Sequence, residues 1–189
     1  MKFIRISTVV LLALMATLIA RAQQQTFTVD PTISNVAFAL TGMGHEVHGV
    51  FHVSHGSIQF DRSTGHIAGS IVAPATSGDS NDKGRDKNMH AQVLNADQFA
   101  DISFEPKSYQ GTIAAAGDSN LQVSGIFTLH GVAHDLTLPM QIRIEGSALS
   151  AKGSFIVPYV KWGLKDPSIF ILKVAKEVDI DLTLVGRIS

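Results

Sequence analysis

The sequence predicts an all-β protein, one antiparallel sheet closed into a barrel or folded into a sandwich. Three observations predict it. Apolar residues recur at every second position, as in Leu121, Val123, Gly125, Phe127 and Leu129 set against Gln122, Ser124, Thr128 and His130. Turn signals rich in Gly, Ser, Asn and Asp punctuate these runs at short intervals. A helical pattern stands out in one segment alone, residues 86–94. Period two sends alternate side chains to opposite faces, so each run reads as a strand with one dry and one wet face.

Taken in order, the chain of 189 residues opens on an address. Lys2 and Arg5 form a positive start, residues 6–20 are uncharged and mostly apolar, and Ala20-Arg21-Ala22 is an A-x-A cleavage site. This is the pattern of a secretory signal peptide, residues 1–22, cut after Ala22. Read as a membrane anchor, the apolar run spans only about 22 Å of a ~30 Å hydrocarbon core. Export is expected, to the periplasm if the cell is Gram-negative. One domain then covers residues 23–189. Cleavage removes Lys2, Arg5 and Arg21, which leaves 12 basic against 16 acidic residues.

Within the domain the first strands are carried by Val36-Phe38-Leu40, by Val47, Phe51 and Val53, by Ile58 and Phe60, and by Ile67, Ile71 and Ala73. A polar loop follows at residues 76–85. In residues 86–94, Met89, Val93 and Leu94 make one apolar helical face, and Asp82 or Asp86 is placed to cap it. Ile102 and Phe104 resume the strands, then the 121–129 run. Leu136, Leu138, Met140, Ile142 and Ile144 follow, then Leu149 to Phe155, then Val178, Ile180, Leu182 and Leu184. Turns are expected at Gly42-Met43-Gly44, His55-Gly56, Ser63-Thr64-Gly65, Gly117-Asp118-Ser119-Asn120, His130-Gly131 and Glu145-Gly146-Ser147. The count is roughly eight strands.

Composition narrows the function. A chain with 45% hydrophobic residues is too apolar for disorder. With 15 Lys+Arg against 16 Asp+Glu it lacks the positive excess that nucleic-acid binding requires. Absence of cysteine excludes disulfides, thiolate metal sites, cysteine nucleophiles and acylation on cysteine. No G-x-S-x-G elbow, P-loop or G-x-G-x-x-G is present.

Three constellations invite a chemical reading. His45, His48, His52, His55 and His66 supply imidazoles, the commonest metal ligands. In a strand, however, His48 and His52 lie about 13 Å apart and oppose the apolar parity of Val47, Phe51 and Val53, so they read as solvated. Asp179 and Asp181 share a face about 7 Å apart, within glycosidase range, but also opposite the apolar parity. Tyr159, Trp162 and Phe170 lie close to Lys161, Lys165 and Asp166. That stretch reads either as a stacking platform or as a strand crossover with its tryptophan in the core.

The motifs together resemble the YceI family of polyisoprenoid-binding proteins. Asp30-Pro31-Thr32-Ile33-Ser34-Asn35-Val36-Ala37-Phe38 looks like its opening strand. Val47-His48-Gly49-Val50-Phe51 with Gly56-Ser57-Ile58-Gln59-Phe60-Asp61 looks like its second hairpin. Arg85-Asp86-Lys87-Asn88-Met89-His90 is similar to its turn into a short helix, and residues 125–132 resemble its G-x-[LF]-T-[LI]-x-G-[VA] strand and turn. The match runs from about Phe27 to Arg187. Two departures are a missing arginine in Pro158-Tyr159-Val160-Lys161-Trp162-Gly163 and a missing histidine before Ser34.

The resemblance implies a lipocalin-like, extended antiparallel β-barrel with a short helix, holding a long-chain isoprenoid or other amphiphilic lipid in a hydrophobic tunnel. No cofactor and no catalysis are implied, and a homodimer stays open. Inward parity then nominates Phe38, Phe51, Phe60, Phe104, Phe127, Leu129, Leu138, Met140 and Phe155 as lining, with Arg85, His90 and Trp162 at the mouth. At about 0.8 kcal/mol per buried CH₂ against roughly 4–15 kcal/mol for association, a chain of about five carbons cannot offset the cost and one of about twenty can. Two other readings stand beside this one: a metal-assisted hydrolase using the histidines, and a structural envelope domain with a filled core.

Overall fold

In the computed structural model, residues 24–42, 44–169 and 173–189 are described. The expected signal peptide and Phe170 lie outside the described residues. The period-two runs fold as strands: β1 (Gln24–Val29), β2 (Asn35–Gly42), β3 (His45–His52), β4 (His55–Asp61), β5 (Ile67–Pro74), β6 (Asp101–Gln110), β7 (Gly117–Leu129), β8 (Val132–Glu145), β9 (Ala148–Val157) and β10 (Val178–Ile188). Every pairing is antiparallel.

These ten strands fill eight positions of a closed barrel. The hydrogen-bonded order runs β1-β4-β5-β6-β7-β8-β9-β10, and β10 returns to β1. One edge of β10 is shared. Its residues 186–188 pair with Phe27–Val29 of β1, and its residues 179–183 pair with Asn35–Ala39 of β2. β1 and β2 are therefore two lengths of one bent strand, and β3 and β4, which pair with β2 and β1, are two lengths of the next.

The bend at residues 30–34 has a chemical cause. Asp30 Oδ1 accepts from the Thr32 N–H at 2.9 Å and from the Thr32 hydroxyl at 2.6 Å, and Pro31 has no N–H to offer a ladder. Ser34 then patches the break. Its buried hydroxyl donates to the Val185 carbonyl at 3.1 Å and accepts from the Val185 N–H at 2.9 Å, replacing the missing backbone pair.

Three expectations are corrected. β1 is absent from the runs read in the sequence. His55-Gly56 does not turn: both residues sit in β4, paired with Val72 and Ile71. Gly117-Asp118-Ser119-Asn120 opens β7, paired with residues 141–144 of β8, and the turn lies just before it. The turns expected at Ser63-Thr64-Gly65, His130-Gly131 and Glu145-Gly146-Ser147 are present, and Met43 of Gly42-Met43-Gly44 lies outside the described residues. At His130-Gly131 both residues have positive φ (53° and 73°), the geometry of a two-residue hairpin.

The helical segment starts earlier than its apolar face suggests. α1 spans Lys83–Asn88, and Asp82 caps it by accepting from the N–H groups of Gly84 and Arg85, both at 2.9 Å. Residues 89–93 continue as one wider π turn, closed by Leu94 N–H to Met89 O at 2.8 Å. That turn puts Met89, Val93 and Leu94 on the barrel side.

The inward residues form two cores. One fills an end of the barrel, with Phe27, Ile58, Phe60, Leu121, Leu138, Met140, Ile144 and Leu184 packed together and Ile113 pushed in from the loop before β7. The other surrounds Phe38, Phe127, Leu129, Val157, Tyr159 and Ile180, and takes Leu94 and Ala96 from the helical segment.

Candidate ligand cavity

The second core is a wall around empty space. A cavity of about 560 Å³ lies between β2, β3, β5–β10, the helical segment, residues 159–169 and Val174. That volume falls in the range of about 300–1,000 Å³ typical of small-molecule sites. Phe38, Phe51, Ile71, Phe104, Leu136, Phe155, Ile180 and Leu182 form most of the inner wall, with Leu138 and Val53 at its floor against the filled end.

Close backbone approach builds one side of the opening. The loop after β5 joins the sheet by one bridge to β3: Val50 and Asp79 exchange both N–H···O bonds at 2.9 Å. Gly49 permits it, because a Cβ there would collide with the Phe38 ring and the Asp79 carbonyl. Gly78 permits the next step, where a Cβ would run into Phe51 and Met89.

Polar groups gather on this side of the mouth. Ser80, Asp82, Arg85 and Asn88 line it. Arg85 donates from Nε to the Ser80 hydroxyl at 2.7 Å and from Nη2 to the Ser80 carbonyl at 2.9 Å. Ser80 is buried and in turn donates to Asp86. The backbone N–H bonds at its helix cap hold the Asp82 carboxyl below the usual carboxylate range. The far side of the mouth is apolar, with Gly42, Val47, Pro167, Ile169 and Val174. There the Tyr159 hydroxyl donates to the Ala175 carbonyl at 2.8 Å, and burial, with the Asp166 charge adding to it, pushes the phenol up to about 12.

The structure brings together Phe38, Phe51, Phe104, Phe127, Leu129, Leu138, Phe155 and Arg85 on the cavity. Phe60 and Met140 have the same inward parity but belong to the filled end. His90 lies outside the cavity, its Nε2 donating to the Gly78 carbonyl at 2.8 Å, so it braces the loop. Trp162 stacks on His134, ring centroids 4.0 Å apart at 9°, and packs behind Phe127 at 5.9 Å. It backs the wall instead of lining the mouth. Met89, Val93, Leu94, Tyr159 and Leu182 line the cavity unforeseen. For the first three, the apolar face of the segment was the available signal.

The remaining constellations do not converge. His45, His48, His52, His55 and His66 are all exposed. His48 meets Glu46 at 3.3 Å in the open. Among the described residues no group of three or more His, Cys, Asp or Glu is placed to hold a metal ion. Asp179 and Asp181 are exposed on the outer face of β10. Lys165 donates to Gln92 at 2.8 Å, tying its segment to the helical turn.

A closed eight-position barrel, filled at one end and hollow at the other, defines a lipocalin-like protein. Its family is equally plain: the YceI-like domain model matches residues 27–186, and the chain belongs to that family. It is 25% identical over 159 residues to a UPF0312 protein of Vibrio parahaemolyticus, covering 81% of each chain. Among solved structures it is similar to BcnA of Burkholderia cenocepacia, with a TM-score of 0.70 and 22% identity over 84% of this chain and 99% of that one. It is also similar to a polyisoprenoid binding domain from Saccharophagus degradans, with a TM-score of 0.65 and 14% identity over 85% and 97%.

Proposed function

We propose that the protein binds and carries or sequesters a long-chain isoprenoid or similar amphiphilic lipid, without catalysis, in the cell envelope after export and cleavage following Ala22. The observation that carries this reading is the division of the cavity: an apolar interior, a floor closed by the filled core, and a mouth lined by Ser80, Asp82, Arg85 and Asn88 on one side and by apolar residues on the other. An alkyl chain laid against Phe38, Phe104, Phe155 and Leu182 leaves water along its whole length, while its head group stays at the rim. Arg85 is the residue for that head group. Its Nε and Nη2 are used by Ser80, which fixes the guanidinium at the cavity lining, and its Nη1 makes no hydrogen bond among the described residues. The polyisoprenoid binding domain among its structural neighbours supports the choice of ligand.

Native mass spectrometry of the purified protein tests the reading. The expected spectrum contains a mass adduct of lipid size that organic extraction removes and a long prenyl alcohol restores. Refusal of every long-chain amphiphile by extracted, folded protein would sink it. In the same spectra the chain of envelope material should begin at Gln23, and a retained Met1 would defeat the export proposal.

A further inference from the structure

The apolar side of the mouth is built unlike the rest of the surface. Ile169 lines the cavity entrance and yet is 61% exposed, more open than Ile33, Ile156 or Val132. Around it the sequence changes sign. Between residues 161 and 177 stand Lys161, Lys165, Lys173 and Lys176 against two acids, Asp166 and Glu177, in a chain whose formal net charge is -1. All four lysines are exposed.

Asp166 offsets part of this charge and leaves an excess of lysines. Its carboxylate is turned inward on its own loop, accepting from the Ser168 N–H at 2.9 Å. The Ser168 hydroxyl and N–H hold it below the usual carboxylate range, and Lys176 and Lys173 add to the effect, which places both cations near the base of this loop. Two hydrogen bonds anchor the loop's described residues. Ala175 donates to the Thr41 carbonyl at 2.8 Å, and the Ser168 hydroxyl accepts from the Val174 N–H at 3.0 Å. An exposed isoleucine at a cavity entrance, in a part of the chain that carries four exposed lysines, matches the chemistry of an anionic lipid surface: apolar side chains enter the acyl boundary and lysines meet the head groups.

We propose that this side of the mouth docks on anionic bilayers, so that the cavity opens toward the membrane. The proposal rests on the lipid-binding reading, because docking there presents a lipid ligand directly to the entrance. The occupant is a lipid surface, since the contact offers one apolar tip within a stretch of excess positive charge.

Flotation of the purified protein with vesicles tests it, using phosphatidylglycerol and phosphatidylcholine in equal parts against phosphatidylcholine alone. The wild type is expected to float with the mixed vesicles only. Binding should fall as ionic strength rises from about 0.01 M to about 1 M, where the screening length shrinks from ~30 Å to ~3 Å. Replacing Lys161, Lys173 and Lys176 by Gln together should weaken partition on the order of a hundredfold, about fivefold for each lysine. Ile169→Asp should abolish it, and Ile169→Trp should strengthen it, because tryptophan favours the interface.

A second arm measures uptake of a prenyl alcohol in vesicle-free buffer by native mass spectrometry, where the triple lysine variant should match the wild type. Equal binding to both vesicle types, or unchanged binding by the triple variant, overturns docking while uptake stands. Vesicle binding without uptake by the wild type overturns the cavity reading on which the proposal rests.

Discussion

The two ends of the barrel are made from the same strands and the same alternation, yet one is solid and the other hollow. β7 shows the contrast within thirteen residues. Leu121 and Val123 pack against Met140 and Leu138 in the filled core, while Phe127 and Leu129 face the cavity. The difference comes from what else reaches inward. At the filled end Phe27, Phe60 and Tyr109 point in together and Ile113 closes the floor. At the hollow end the helical segment and residues 159–169 stand at the opening, and inward positions include the small Ala73 and Gly42. A barrel interior is emptied by moving connecting segments to its rim, with no change of strand pattern.

The largest effect expected from breaking this contrast is at the filled end. Ile144 is 2% exposed, so Ile144→Ala should cost about 2–5 kcal/mol in chemical denaturation. A matched pair of enlargements comes next. Ala151 and Ala73 are buried alike, at 5% and 7%, but only Ala73 borders the cavity. Ala151→Leu should overpack its core by about 1–3 kcal/mol. Ala73→Leu should leave the unfolding midpoint of extracted protein in place and reduce the lipid it retains. Equal destabilisation by both would show that the hollow end has no spare volume.

Smaller effects sharpen the rim. Tyr159→Phe removes a hydrogen bond from the Ala175 carbonyl and should cost about 1 kcal/mol. The wild type should also lose stability as pH climbs from about 10 to about 12. The folded phenol keeps its proton across that window while the unfolded one releases it, and Tyr159→Phe should flatten this part of the pH profile. Least of all, replacing both His48 and His52 by Gln should change stability by under about 0.5 kcal/mol, since both side chains are exposed. A stoichiometric metal lost in that variant would overturn the carrier reading.

Much of the fold was legible because β7, β8 and β10 alternate without interruption. β1 was not, since Gln24-Gln25-Thr26 is polar and only Phe27 and Val29 show parity; its strand character comes from pairing with β4 and β10. Gly117 was read as a turn because strand starts and turns tolerate the same residue, here at φ 84°. Gly84 hid the first turn of α1, whose stability comes from the Asp82 cap and not from propensity. The site was legible as a set of inward residues and illegible as a place. Phe60 and Phe38 carry the same signal in opposite ends, and only the position of the loops separates them. Arg85 was found through a motif, whereas His90, five residues on, braces the loop from outside.

The shared edge of β10 also governs the order of assembly. Phe27 meets Ile188, so the barrel shuts only when residues from opposite ends of the domain zip together. Pairing across that separation must overcome a large loop-closure entropy before any contact rewards it, which makes closure a slow, late event. Until β10 docks, β1, β2 and β9 each present an open edge of unpaired N–H and C=O groups, the template on which nascent chains stick to one another. The last strand made is the one that removes all three edges at once.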